Sequence, residues 1–129
     1  MHTPDVERIA QALVENCRND NARDNIDAFY ADDAVSVEPS AQPGDEREKK
    51  GIAAIHGKHD FWEQAMEPLE NVVEGPFYDG SGRFSVIFRF KVKERASGVV
   101  IAMDEVALYT VKDGKIVREE FFYGLQPPS

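Results

Sequence analysis

One cysteine, Cys17, stands in a chain of 129 residues, so no disulfide can close within it. That usage fits a reducing compartment. No apolar run approaches the roughly 20 residues needed to cross a bilayer. The N-terminal MHTPDVER lacks the basic and apolar regions of a secretory leader. A cytoplasmic protein without a membrane partner is expected. Basic residues are also scarce: Lys+Arg 15 against Asp+Glu 24 leaves a net charge of −9. Such a surface repels nucleic acid and anionic membranes. The short basic clusters EREKK and KVKER are interleaved with acids, as in a solvated loop and a sheet edge. Internal repeats are absent too, and the length suits one domain over residues 1–129.

What is present is periodicity. Thr3-Pro4 reads as an N-cap and first helical residue, with Asp5 and Glu7 suited to the positive end of the helix dipole. Val6, Ile9, Ala10, Leu13, Val14 and Cys17 then repeat at helical spacing on one face. NDNARDN breaks that helix, and a shorter one carries Ile26, Phe29 and Tyr30. Residues 34–38 read as a strand stopped by Pro39, and PSAQPGDEREKKG as a polar loop. A third helix starts near Ile52, with Ile55, His59, Trp62, Met66 and Leu69 on one stripe. Residues 72–78 suggest a strand, with Gly75-Pro76 marking an edge or bulge. Phe84, Val86, Phe88, Phe90 and Val92 alternate strictly with polar residues or Ile87, the clearest strand of the chain. Residues 99–111 and 116–123 close the sheet. Helices first and antiparallel strands last predict an α+β fold, with helices on one face of a curved sheet and a pocket between the layers.

The last two strands pose a chemical question. Asp113-Gly114 between alternating runs predicts a two-residue type I′ turn. With Lys112 opposite Lys115, regular pairing sets Leu108 against Glu119, Val106 against Phe121 and Asp104 against Tyr123. Asp104, Val106, Leu108, Thr110, Val117, Glu119, Phe121 and Tyr123 would then share one face, more apolar than the other. Two carboxylates, Asp104 and Glu119, are thereby expected to point inward, about 13 Å apart at 3.3 Å per residue. That is too far to share a proton.

The succession of a helix ending in YADDA, a strand ending in an acid and proline, GIAAI, a helix and a meander ending in DGKIVREEFFYG resembles the nuclear-transport-factor-2-like superfamily. Within it the chain most resembles the SnoaL-like polyketide cyclases and the ketosteroid isomerases. The resemblance implies a cone-shaped curved antiparallel sheet packed against about three helices. It also implies cofactor-independent acid/base chemistry on a hydrophobic carbonyl compound, with neither metal nor cofactor, in a homodimer docked through its sheet. The outward side chains Ile87, Tyr109 and Phe122 would serve that interface. Glu38, before Pro39, takes the place of the isomerases' general base. Asp104 lies near the protonated aspartic acid that donates to the oxyanion, a system long used to illustrate raised acid pKa values; differing hairpin lengths allow a two-residue offset. Val14 replaces an oxyanion tyrosine, which argues against steroid isomerisation.

Four residues thus emerge as catalytic candidates, Asp104, Glu38, His59 and Glu119, and five as ligand-binding, Trp62, Phe121, Tyr123, Met66 and Val14. His59 is the histidine on the apolar stripe and titrates in the working range. His56 and His59 stand at i, i+3, but no further ligand cluster accompanies them. The leading expectation is an isomerase, cyclase or dehydratase. The alternatives on the same scaffold are a non-catalytic ligand-binding domain and a dimeric interaction module.

Overall fold

The structure, a computed structural model, describes residues 4–39 and 46–124, and for Pro4, Tyr123 and Gly124 the backbone only. The capping role of Thr3 and the side chain of Tyr123 therefore lie outside the described residues. The order is α1 (Pro4–Arg18), α2 (Ala22–Phe29), β1 (Tyr30–Val37), β2 (Glu48–Lys50), α3 (Ile52–Ala65), β3 (Met66–Tyr78), β4 (Arg83–Glu94), β5 (Val100–Lys112) and β6 (Lys115–Gly124). Three helices lie against one curved six-stranded sheet of order β2-β1-β6-β5-β4-β3.

The helical stripe of α1 becomes the centre of the core. Val6, Ile9, Ala10, Leu13, Val14 and Cys17 are all buried, against Ile26 of α2 and Phe84, Val86, Ala107 and Ile116 of the sheet. At its end, the Arg18 guanidinium donates to the Val73 carbonyl at 3.0 and 3.2 Å, and Asn71 Nδ2 to the Cys17 carbonyl at 3.2 Å. Helix α3 is held differently, since only Ile55 on it is fully buried. Arg23 of α2 donates to His56 Nδ1 at 3.2 Å and to Asp60 at 2.9 Å, while His56 Nε2 sits 3.0 Å from Asp27. This polar clamp, with Trp62 edge-on to Phe90 at 6.1 Å, fixes the helix over the sheet. It also turns His56 toward α2.

Several expectations need correction. Helix α3 ends at Ala65, so Met66 and Leu69 belong to β3 and not to the helical stripe. Pro68 is the reason: it has no N–H to give to the helix ladder and disfavours helical geometry just before it. Leu69 falls in a register shift and is exposed. The polar loop contains β2, whose Glu-Lys-Lys pairs with residues 35–37 of β1; a short charged edge strand offers no apolar alternation to read. Tyr30 begins β1 instead of closing α2. The sheet is mixed and not wholly antiparallel, because β1 inserts beside the last strand and runs parallel to it, Ser36 opposite Glu119.

The hairpin carries the consequential correction. Its turn is as expected, with positive φ at Asp113 (53°) and Gly114 (74°). Lys112 faces Lys115 and Val111 faces Ile116, but next Thr110 faces Arg118, leaving Val117 as an extra residue in β6. Beyond this bulge the pairs are Tyr109 with Glu119, Ala107 with Phe121 and Glu105 with Tyr123. Strand β5 is thus inverted relative to the regular hairpin. Ala107 and Tyr109 are buried, Tyr109 stacking on Phe84 at 4.9 Å, whereas Val106 is exposed. The outer face therefore shows Ile87, Val106 and Phe122, and not Tyr109.

Candidate functional site

Strand β4 decides which acid of β5 enters the interior. Its phenylalanines point inward and Arg89 outward, so Glu105, opposite Phe88, faces in and Asp104, opposite Arg89, faces out. Asp104 is accordingly not a cavity acid: it lies 3.3 Å from Arg89, which also reaches Glu74 at 3.2 Å. Glu105, its neighbour, is the inward acid that the regular hairpin register misses.

Glu119 does point inward, as the hairpin pattern implies, and is only 2% exposed. The hydroxyl of Tyr30, at the start of β1, donates to its Oε2 at 2.5 Å. Burial and then the negative charge of Glu119 push the Tyr30 hydroxyl well above its usual range, so it stays a donor. Its Oε1 has no hydrogen-bond partner among the described residues. The nearest cation to it is Lys58 Nζ, 3.7 Å away.

Lys58 organises the site. Helix α3 projects it over the β1–β6 junction, where its ammonium sits 4.3 Å from the ring centre of Phe121. Nζ donates to Ser36 Oγ at 2.7 Å and pairs with Glu38 Oε1 at 2.8 Å. The side chains of Lys58 and Glu38 are 18% and 21% exposed, which places them between solvent and the buried Glu119. The backbone of Glu38 is fixed from both sides: its N–H donates to the Arg47 carbonyl at 2.9 Å, and Arg47 Nε donates to its carbonyl at 2.9 Å.

Two carboxylates, Glu38 just past β1 and Glu119 of β6, thus flank one ammonium, and a third, Glu105 of β5, is close enough to feel its charge. Burial, followed by the negative charge of Glu38, pushes Glu105 up to about 8, with Lys58 opposing and Glu119 adding to the rise. Glu105 therefore carries its proton at neutral pH. Desolvation, aided by Lys58 and Arg23, lowers His59 to about 4, leaving a neutral imidazole beside the cluster.

Of the other expected ligand-binding residues, Phe121 lies under Lys58 and Trp62 reaches Phe90 on the inner face. Val14 is buried in the α1 core. Met66 sits at the α3–β3 junction, half-buried. Two open surface clefts lie elsewhere. One, of about 400 Å³, runs between Arg18 and Gly75-Pro76; the other, of about 560 Å³, runs along the β1–β6 edge near Lys50 and Lys115. Neither includes a residue of the Lys58 cluster. Among the described residues no group of three His, Cys, Asp or Glu side chains is arranged to hold a metal ion. None of their helices is long and apolar enough to cross a membrane.

Lys58 and Glu105 are the two residues that sequence reasoning missed. For Glu105 a signal existed, because pairing β5 with the unambiguous β4 sets it opposite Phe88. For Lys58 there was none, since a lysine one residue from an apolar stripe reads as solvated.

The SnoaL-like domain family matches residues 5–123, and the chain belongs to it. A Mesorhizobium loti protein of solved structure, provisionally named a SnoaL-like polyketide cyclase and a carbohydrate phosphatase, is 34% identical. The match covers 92% of this chain and 98% of that one, with a TM-score of 0.84. A provisional SnoaL-like polyketide cyclase from Jannaschia (18% identity, 95% and 90% coverage, TM-score 0.73) shares the fold. So does a provisional isomerase from Bacillus subtilis (15% identity, 93% and 84% coverage, TM-score 0.61). No curated protein matches the sequence.

Proposed function

We propose that this protein is a cofactor-independent acid/base enzyme acting on a hydrophobic carbonyl compound, as an isomerase, cyclase or dehydratase. The observation that carries the reading is the division of labour among the carboxylates. Glu105 is protonated at neutral pH, whereas Glu38 is ion-paired and partly exposed at the edge of the cluster. A buried acid that keeps its proton, close to a carboxylate that solvent and substrate can reach, suits paired acid and base roles.

Glu38 takes the proton from the carbon next to the carbonyl. The C–H bond breaks, its electron pair forms the enolate double bond, and the carbonyl π pair moves to oxygen. The Glu105 carboxylic acid donates a hydrogen bond to that oxygen, lowering the barrier where charge develops. Returning the proton to another carbon gives isomerisation. Attack of the enolate carbon on a second carbonyl of the same molecule, whose π pair moves to its oxygen and takes the proton back from Glu38, gives cyclisation. Loss of a β-hydroxyl, leaving as water with a proton from Glu105, gives dehydration. Phe121, Phe88, Phe90 and Trp62 supply aromatic surface for an apolar substrate body. His59, at about 4, is too weakly basic at neutral pH to lead.

The test is proton–deuterium exchange at the α-carbon of a panel of hydrophobic ketones in heavy water, followed by NMR. Wild type should catalyse exchange, and Glu38→Gln should lower it at least about 100-fold. Saturable ketone binding without exchange would overturn the enzymatic reading in favour of a ligand-binding domain.

A further inference from the structure

Glu38 Oε1 is engaged by an ammonium at 2.8 Å, and a proton bound to that carboxylate would remove the charge that holds the pair. If Glu38 is to accept a proton, its counter-ion needs somewhere else to go. The interior holds such a place. Glu119 is almost completely buried, its Oε2 is taken by Tyr30, and its Oε1 lies 3.7 Å from the same ammonium with no hydrogen-bond partner among the described residues. A buried carboxylate oxygen left in that condition is costly. Closing 3.7 Å to a charge-assisted bond of about 2.8 Å takes a movement of about 1 Å, within reach of a flexible lysine end.

We propose that Lys58 is a shared counter-ion and positioning residue, resting on Glu38 and Ser36 and shifting to Glu119 Oε1 when Glu38 gains a proton. The two positions form a two-state element biased by one proton. While Lys58 rests on Glu38, that carboxylate stays ionised and placed for substrate. As the proton arrives, the ammonium is attracted inward to the only one of the pair still charged, and it returns when Glu38 releases the proton. Ser36 Oγ and the Phe121 ring guide the path, since both contact the ammonium in the resting position. The other titratable groups near this path are Glu105 from β5, whose charge state responds to Glu38, Lys58 and Glu119, His59 beside Lys58 on α3, and Tyr109 of β5 and Cys17 of α1, which feel the charge of Glu119 and keep their protons. Tyr30, locked on Oε2, keeps Glu119 from turning away.

This inference rests on reading Glu38 as the base, and the two are tested separately. Loss of ketone exchange in Glu38→Gln tests the base; the position of Nζ tests the shift. In a crystal structure of Glu38→Gln, which mimics the protonated acid, Nζ should lie within about 3.0 Å of Glu119 Oε1. An Nζ still on Ser36 and beyond 3.5 Å from Glu119, a limit set by hydrogen-bond geometry, overturns the proposal. Should that variant fail to fold, carboxyl-carbon NMR on the wild type decides. The Glu119 resonance and the Lys58 ε-carbon should move together at the midpoint of Glu38. A Glu119 carboxyl that stays still through that midpoint overturns the shift equally.

Discussion

Replacing Glu105 with glutamine keeps the shape of the protonated acid and removes its ability to ionise. In the folded protein this carboxyl titrates at about 8, against 4.5 for the ordinary group. The native state therefore binds the proton more tightly than the unfolded chain does between those values. Its contribution to stability is complete below about pH 4.5, declines through the interval and levels off above about pH 8. At about 1.4 kcal/mol per pH unit the interval corresponds to on the order of 5 kcal/mol, a large part of the 5–15 kcal/mol that typically holds a domain together. Solvent reaching Glu105 reduces the figure, so this is an upper bound. The assay is urea unfolding of wild type and Glu105→Gln at intervals from pH 4.5 to 9. The informative quantity is the difference between the two, because every other carboxylate titrates in both. Glu105→Gln should match wild type at the acid end and exceed it progressively toward pH 8. A difference constant to within about 1 kcal/mol, or a Glu105 carboxyl NMR midpoint near 4.5, refutes the buried acid and with it the oxyanion donor.

Tyr30→Phe leaves Glu119 Oε2 without its donor and should cost about 2–3 kcal/mol, read as a lowered urea midpoint; an unchanged midpoint would show that the bond is not formed. Cys17 is buried, and that burial pushes its thiol up to about 12. It should resist a disulfide reagent at pH 8 in the native state and react promptly in urea. Asp104→Asn removes only a partly exposed partner of Arg89 and should change stability by less than about 1 kcal/mol, leaving ketone exchange intact; a lost activity would return Asp104 to the site. Phe122, 46% exposed on the outer sheet face beside Val106 and Ile87, suits the homodimer that the family resemblance implies. Light scattering should show a dimer for wild type and a monomer for Phe122→Asp, and a monomeric wild type at tens of micromolar, a range suited to such interfaces, would refute it.

Where local pattern and tertiary context agreed, the fold could be read directly. The α1 stripe needs no partner to identify it, since six residues at helical spacing are all buried in the structure. The alternation of β4 and the positive-φ turn at Asp113-Gly114 are equally local. Glu119 was legible because a mid-strand acid among apolar neighbours invites the question. Glu105 was not, because its direction depends on a bulge that contains no glycine. The apolar pair Ile116-Val117, breaking an otherwise alternating strand, is its faint trace. Lys58 was invisible for another reason. Its inward reach is set by Ser36, Glu38 and Glu119, which only the parallel β1–β6 pairing brings together, and no windowed pattern spans that distance.

The extra residue at Val117 also governs how this hairpin tolerates changes of length. Deleting Val117 would let Thr110 and Arg118 follow directly on Val111 and Ile116, with Tyr109 still opposite Glu119. The segment between the turn and Arg118 is thus free to gain or lose this one position without altering what lies beyond. Past Arg118 that freedom ends. One residue inserted between Arg118 and Glu119 would carry Glu119 and Phe121 to the solvent side and bring Glu120 and Phe122 to the interior, since direction alternates with every step. Length variation among relatives should therefore gather on the turn side of Arg118 and vanish on the other, a boundary drawn by arithmetic parity and independent of which side chains occupy the positions.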